Sequence, residues 1–158
     1  MRWNKILMAV LLLWGTAVQA QSIQVGAGVV EDLDNELINI GQVAVISDPI
    51  QPLGGIQAHA GLLVAEEDTW YLHAGLNKVF ELPGRWSWGL SLSAGYYDSN
   101  DRHMDLGHEV EFLTRLQLDY ELSTDQSLRV ELGHISNANI GDDNPGAEFV
   151  MFNWIKRL

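Results

Sequence analysis

The chain has 158 residues, contains no cysteine and carries a formal net charge of −12 at pH 7 with its histidines neutral. This length suits a single domain. The excess of acidic residues argues against nucleic acid as a partner. The lack of cysteine excludes disulfides, cysteine nucleophiles and thiolate metal sites.

Residues 1–20 have the organisation of a secretory signal peptide. Two basic residues precede an apolar run over residues 6–14, and small or neutral residues follow up to Ala20. The run is well short of the ~20 apolar residues that a membrane-anchoring helix needs. We therefore expect export, cleavage after Ala20 and one mature domain over residues 21–158, with seven basic and 21 acidic residues.

The mature chain reads as short segments of alternating polarity separated by Gly, Pro, Asn, Asp or Ser, which is the pattern of strands and turns. Eight strands are predicted, at residues 22–30, 37–46, 56–65, 69–82, 86–97, 108–121, 126–136 and 147–156. Their even number, their lengths of about 9 to 14 residues and the export signal favour an all-β, antiparallel transmembrane barrel of the outer-membrane type. A soluble β-sandwich shows the same alternation and stays open as the alternative.

The acidic residues cluster in the connections on one side of such a barrel. With both termini in the periplasm, the connections outside the cell are residues 31–36, 66–68, 98–107 and 137–146, and those in the periplasm are residues 47–55, 83–85 and 122–125. The acidic clusters all fall in the first group. They are interpreted as solvated loops, with cation bridging to lipid phosphates as the alternative.

Ser136 and His134 stand two residues apart near the end of the seventh predicted strand, so their side chains point to the same side. A serine needs a neighbouring base to act as a nucleophile, and the base needs a third group to hold its tautomer. Glu148 opens the eighth predicted strand and can return beside His134 after the intervening loop. A pair that only forms structural hydrogen bonds remains the ordinary alternative on spacing alone.

The numbering of these three residues indicates which side of the sheet they face. His134, Ser136 and Glu148 share even numbering with the apolar residues of their strands, which are Leu128, Val130, Leu132, Val150, Phe152 and Trp154. We therefore predict that the three polar side chains lie on the lipid-facing side, next to an outer loop. Polar groups are costly there unless they bond one another or serve a purpose. An ester of a membrane lipid would present itself at this interface.

Residues 134–137 (His-x-Ser-Asn) and 144–148 (Asn-Pro-Gly-x-Glu) together resemble the signature of the lipid A 3-O-deacylases. These are outer-membrane barrels that remove the ester-linked acyl chain at position 3 of lipid A. The eight-strand layout is also similar, so the resemblance spans the mature chain, and its last third is diagnostic. It implies a serine esterase of the outer membrane that acts on lipopolysaccharide and releases a free fatty acid.

The resemblance also implies a role for each site residue. Ser136 would be the nucleophile, His134 the general base and Glu148 the acid that orients the base. Phe112 would contact the acyl chain or the glycolipid, and its even numbering agrees with a lipid-facing position.

Three asparagines would support the site, according to the same resemblance. Asn144 would help to bind the oxyanion, and Asn137 would shape the loop. Asn139 stands where the family often has a glycine whose backbone N–H serves the oxyanion. Asparagine also tolerates left-handed backbone, so the substitution is compatible with that role.

The remaining histidines do not suggest a metal site. His59 and His73 have the numbering of lumen residues, while His103 and His108 lie in or beside a polar loop. No pair has metal-ligand spacing on one strand face, so we expect no metal and no cofactor.

Three functions stay open: the hydrolase, a non-catalytic structural or adhesive barrel, and a lipid acyltransferase. The sequence also leaves monomer and homodimer open.

Overall fold

The computed structural model describes residues 20–66 and 68–158, which form eight antiparallel strands closed into one barrel. The strands are β1 (Ala20–Glu31), β2 (Leu37–Ser47), β3 (Gln57–Ala65), β4 (Thr69–Glu81), β5 (Trp86–Asp98), β6 (Val110–Ser123), β7 (Gln126–Ser136) and β8 (Ala147–Arg157), with short 3-10 helices at Gln51–Leu53 and Arg102–Met104. The predicted strands agree with these bounds to within two residues. Because β1 pairs with β8, the barrel prediction is confirmed and the sandwich is excluded.

The predicted signal peptide falls almost entirely outside the described residues. Residues 1–19 are not described, and Ala20 begins β1. Within residues 20–66 and 68–158, no helix is long and apolar enough to cross a membrane.

Side chains alternate between the barrel interior and its outer surface, because successive residues of a strand face opposite sides. His59 and His73, which were predicted to face the lumen, are indeed buried, with 7% and 2% exposure. The outer surface carries large exposed apolar side chains, among them Leu76, Leu90, Leu92, Leu116, Leu118, Leu128, Leu132, Phe152 and Trp154. An apolar exterior around a polar interior is typical of outer-membrane barrels.

The middle of the interior is a network of buried polar groups centred on Glu131. Three glutamines donate to its carboxylate: Gln24 at 3.1 Å, Gln42 at 2.7 Å and Gln117 at 3.2 Å. The guanidinium groups of Arg115 and Arg129 lie 3.7 and 3.8 Å from it. Arg129 also donates twice to Asp119, at 2.6 and 2.8 Å. The barrel is thus packed with paired charges at this level.

We define the outer end of the barrel as the end that carries the connections 32–36, 66–68, 99–109 and 137–146. An apolar cluster fills this end, and the loop of residues 99–109 folds over it, burying Met104 and Leu106 to 3% and 1% exposure. The hydroxyl of Tyr97 donates to the Met104 carbonyl at 2.5 Å. This loop of residues 99–109, which we call the platform loop, closes the outer end and lies beside residues 137–146.

The strand register fixes the tilt of the barrel. A path perpendicular to the strands that leaves Ser136 through its β6 partner and continues around the barrel returns to β7 at Gln126, ten residues nearer the inner end. A shift of that size over eight strands corresponds to a strand tilt of about 40° from the barrel axis. A residue of β6 therefore lies nearer the inner end of the barrel than its direct partner on β7.

Candidate active site

His134 and Glu148 form the best-defined contact of the site. They are direct partners in the pairing of β7 with β8, and His134 Nδ1 lies 2.9 Å from Glu148 Oε1. A carboxylate can only accept, so the imidazole donates its Nδ1 proton. This bond fixes the tautomer and leaves Nε2 free to accept a proton. The pair has the geometry of a base held by its orienting acid.

The pair lies on the outer surface of the barrel, as the even numbering predicted. The side chains of His134 and Glu148 are 47% and 68% exposed. Leu132 and Val150, the next outward residues on the two strands, are also exposed, at 51% and 38%. A hydrogen-bonded polar pair thus borders the apolar outer surface of the barrel.

Gly146 makes room for the imidazole. A Cβ built on this glycine would stand 3.0 Å from His134 Cε1 and 3.7 Å from Nε2, and its φ is 71°. Both the space and the left-handed backbone favour glycine here. The ring of His134 therefore lies close to the end of the loop of residues 137–146, which we call the site loop.

Ser136 lies at the end of β7, on the same face as His134. Its direct cross-strand partner is Phe112 on β6, and both side chains are half-buried. Within the described part of the chain, no hydrogen bond joins Ser136 to His134. Bonds between a nucleophile and its base are often loose before substrate binds. The structure thus brings the three predicted residues to one face and forms one of the two expected contacts.

Asn137 organises the site loop from a fully buried position, with 0% exposure. Its carboxamide nitrogen donates to the Leu106 carbonyl at 2.9 Å and to the Asp143 carbonyl at 2.7 Å. Its carboxamide oxygen accepts the N–H of Asn139 at 2.9 Å. One side chain therefore joins the start of the loop, its later part at Asp143 and the platform loop.

The two other asparagines brace the same loop. Asn144 Oδ1 accepts the backbone N–H of Asn137 at 2.9 Å, while its Nδ2 lies 3.4 Å from Asn139 Oδ1. Asn139 has the left-handed backbone that its type tolerates, with φ of 62°. The backbone N–H of Asn139 is already bonded to Asn137. The side-chain Nδ2 of Asn144 makes only a long and weak contact, so it is the more available of these two donors.

Two features of the site were not predicted from the sequence. Gly107, in the platform loop, has φ of 82°, and a Cβ on it would lie 2.5 Å from the Asp143 carbonyl oxygen. Thr114 is the direct partner of His134 on β6. The first depends on a tertiary contact between loops that spacing does not reveal. The second could have been found from the sequence, because Thr114 is a polar residue among the even-numbered apolar residues of β6.

His103 and His108 lie apart from the site, in polar surroundings as predicted. His103 Nδ1 is 2.7 Å from Asp34 Oδ2 in the neighbouring loop. His108 Nδ1 accepts the N–H of Val110 at 2.8 Å.

Comparison with known proteins identifies one family. The family model described as "Lipid A 3-O-deacylase (PagL)" matches residues 64–157, more than half of the chain. This range contains Phe112, His134, Ser136 and Glu148. A search of curated proteins finds no significant match.

Several solved structures share the fold. The crystal structure of the outer membrane enzyme PagL matches with a TM-score of 0.71 and 18% identity, over 87% of this chain and 99% of that chain. Neisserial surface protein A matches with a TM-score of 0.67 and 6% identity, over 87% and 96% of the two chains. A de novo designed transmembrane barrel matches at 0.56 and 14%, over 89% and 98%. These likenesses establish the fold alone.

Proposed function

Because the chain belongs to the lipid A 3-O-deacylase family, we propose that it hydrolyses the ester-linked acyl chain at position 3 of lipid A with a Ser136, His134 and Glu148 triad. The observation that carries this proposal is the 2.9 Å bond between His134 and Glu148 on the outer surface of an outer-membrane type barrel. An imidazole that is hydrogen-bonded to a carboxylate and stands two residues from a serine provides the parts that acyl transfer needs.

The reaction follows from the tautomer of His134. Its Nδ1–H is held by Glu148, so Nε2 takes the hydroxyl proton of Ser136 as the serine oxygen attacks the ester carbonyl. The bond to the sugar oxygen then breaks, and His134 returns the proton to that leaving oxygen. Water attacks the resulting acyl-serine with His134 again as the base, which releases the fatty acid and restores the serine. Glu148 stabilises the imidazolium at both stages.

Asn144 is our candidate donor for the oxyanion that forms in each attack. Among the residues that the structure describes, its Nδ2 has only the 3.4 Å contact with Asn139, which a developing negative charge can displace. Loss of one such donor costs about 2.7 to 4 kcal/mol in a serine protease. Phe112, beside Ser136 on β6, supplies an apolar surface for the substrate next to the nucleophile.

The site's position on the barrel determines which substrate it can meet. It sits at the outer end, on the lipid-facing surface, and the barrel interior behind it is packed with paired charges. A lipid in the outer leaflet reaches Ser136 sideways from the bilayer, so a lumen path is not required. The exposure of His134 and Glu148 also gives water access to the acyl-serine, which favours hydrolysis over transfer to a second lipid.

The test is mass spectrometry of lipid A from cells that express the wild type, Ser136→Ala or Ser127→Ala. Ser127 lies on the same strand, far from the site, and serves as the matched control. We expect loss of one 3-hydroxyacyl mass with the wild type and with Ser127→Ala. With Ser136→Ala the rate should fall by at least about a thousandfold.

Three outcomes would contradict the proposal. Unchanged deacylation by a folded Ser136→Ala variant would remove the serine from the mechanism. A newly acylated lipid in place of free fatty acid would assign the protein to acyl transfer, and intact lipid A in every strain would favour a non-catalytic barrel.

A further inference from the structure

The platform loop is anchored in the outer end of the barrel just before it reaches the site loop. Met104 and Leu106 are buried in the apolar cluster, with 3% and 1% exposure. The hydroxyl of Tyr97 donates to the Met104 carbonyl at 2.5 Å. The Leu106 carbonyl accepts from the buried carboxamide of Asn137 at 2.9 Å. Because close-packed side chains and these two bonds hold it from below, the backbone that follows Leu106 has a fixed position.

Gly107 is the next residue, and its backbone packs directly against the site loop. A Cβ on Gly107 would stand 2.5 Å from the carbonyl oxygen of Asp143. From the opposite side, a Cβ on Gly141 would stand 2.8 Å from the carbonyl oxygen of Gly107. Real Cβ atoms essentially never approach another heavy atom to less than 3.0 Å. The two loops therefore meet backbone to backbone, and an added methyl group on either glycine must push them apart.

The carbonyl of Asp143 belongs to the peptide bond that leads into Asn144. It accepts a hydrogen bond from Asn137 Nδ2 at 2.7 Å, so it is held between that carboxamide and Gly107. A donor to an oxyanion must lie about 2.7 to 3.1 Å from the oxygen that develops the charge. A displacement of the Asp143 carbonyl therefore moves the proposed donor, Asn144 Nδ2, out of this narrow range.

We propose that Gly107 is a positioning residue, whose close approach to Asp143 holds the site loop where Asn144 Nδ2 can donate to the oxyanion. This inference rests on the function proposed above. It gives the platform loop a part in catalysis that it exerts through the site loop.

Two other roles for Gly107 make different predictions. A glycine required only for its left-handed backbone, with φ of 82°, would matter through strain alone. A contact that only helped the loops to fold would lower activity independently of Asn144, so the two losses would multiply. Positioning of the Asn144 donor predicts that the loss disappears once that donor has been removed.

Three glycine variants separate the contact from the strain. Gly107→Ala introduces both. Gly141→Ala introduces the contact alone, because Gly141 has no positive φ. Gly54→Ala introduces the strain alone, since Gly54 has φ of 70° and no atom of residues 20–66 or 68–158 lies within 4 Å of its Cβ position. A heat-modifiable gel shift verifies that each barrel is folded, and Gly141→Ala keeps the test available if Gly107→Ala does not fold.

The experiment measures kcat and KM for fatty acid release from lipid A in detergent micelles, for each glycine variant alone and combined with Asn144→Ala. We expect Gly107→Ala and Gly141→Ala each to lower kcat about a hundredfold with little change in KM, because a shift of about 1 Å costs a factor of that size. Asn144→Ala should lower kcat by at least about a hundredfold, and Gly54→Ala should keep the wild-type value. In the Asn144→Ala background, either contact variant should lower kcat by no more than about a further twofold.

A further hundredfold loss in the double variants would overturn the inference, because the contact would then act on a group other than Asn144. Wild-type kcat in folded Gly141→Ala would also overturn it, as would wild-type kcat in Asn144→Ala or an equal loss in Gly54→Ala. Each of these results leaves the deacylase proposal intact, because the wild type still releases fatty acid. Release of no fatty acid by the folded wild type would overturn both.

Discussion

Gly146 leaves space for the imidazole of His134 across the β7–β8 hairpin: a Cβ on the glycine would stand 3.0 Å from the Cε1 of the ring. The bond that orients the ring, from His134 Nδ1 to Glu148, is made only two residues further along β8. The conformation of the site loop and the placement of the base are therefore coupled at one residue.

We predict that Gly146→Ala lowers kcat by about a hundredfold, because displacement of a catalytic group by about 1 Å costs a factor of that size. KM should change little, since the lipid-facing surface is unaltered. The measurement is the rate of fatty acid release from lipid A in detergent micelles.

Gly84→Ala is the matched control for this change. Gly84 also has a positive φ, 82°, but no atom of residues 20–66 or 68–158 lies within 4 Å of its Cβ position. It carries the same backbone strain at the opposite end of the barrel. Equal loss of activity in both variants would show that strain, and not contact with His134, causes the effect.

Most of this fold could be predicted from the sequence because membrane barrels impose a strict period of two. Residues 86–96 alternate aromatic or aliphatic residues with Ser and Gly, and the structure has strand β5 at Trp86–Asp98. The same period predicted that His134, Ser136 and Glu148 share an outward face. Local spacing was enough for these features because each depends on neighbouring residues or on one hairpin.

The remaining features depend on contacts between distant loops. Asn137 is joined to Leu106, which lies 31 positions earlier in the sequence, and no periodicity links the two. The hydrogen bond from the Asn139 N–H to Asn137 also escaped prediction, since it requires the actual course of the site loop. The sequence therefore predicted which face of the barrel these polar side chains share, but not the packing around them.

The buried carboxamide of Asn137 leads to a second prediction. Asn137→Ala removes the donor to two carbonyls and the acceptor of one N–H, and each buried group left unpaired costs about 1–3 kcal/mol. We expect activity to fall by at least about tenfold as the site loop loosens. Limited proteolysis should show faster cleavage within residues 137–146.

Asn39→Ala provides the comparison at the same end of the barrel. Asn39 is exposed, and its side chain donates to Glu66 at 3.0 Å. The Asn39→Ala variant should keep the activity of the wild type and should be cleaved by protease at the wild-type rate. A slow, wild-type cleavage pattern in Asn137→Ala would mean that the platform loop alone orders the site loop.

The interior network supports a third prediction, on stability. Glu131 has 0% side-chain exposure and faces the guanidinium groups of Arg115 and Arg129. Glu131→Gln keeps its shape but removes the charge, so two buried cations lose a counter-charge. Breaking a buried pair in this way costs about 3–5 kcal/mol. We expect a correspondingly lower free energy of unfolding in urea, measured on barrels folded into lipid vesicles.

Glu121→Gln makes the same chemical change at an exposed position near the end of β6 and should leave stability within about 0.5 kcal/mol. If Glu131→Gln were equally silent, the three glutamines around the carboxylate would have to compensate for the lost charge.

The turn between β6 and β7 supports a prediction on pH. Asp125 accepts hydrogen bonds from Lys156 and from Ser123, the second at 2.6 Å. The bond from Lys156, and then that from Ser123, lowers the pKa of Asp125 below its ordinary value of 3.8. A lowered pKa in the folded state means that the ionised carboxylate stabilises the fold above the ordinary pKa, and that this contribution is lost as pH falls through the lowered value.

Asp125→Asn should therefore unfold more easily than the wild type at neutral pH, by a small margin because the turn is exposed. Urea unfolding at neutral pH and again well below 3.8 measures the difference, which should disappear in acid as the wild-type carboxylate becomes protonated. High salt at neutral pH should also narrow it, since exposed ion pairs are screened. A difference that persisted unchanged in acid would show that the turn depends on the shape of Asp125 and not on its charge.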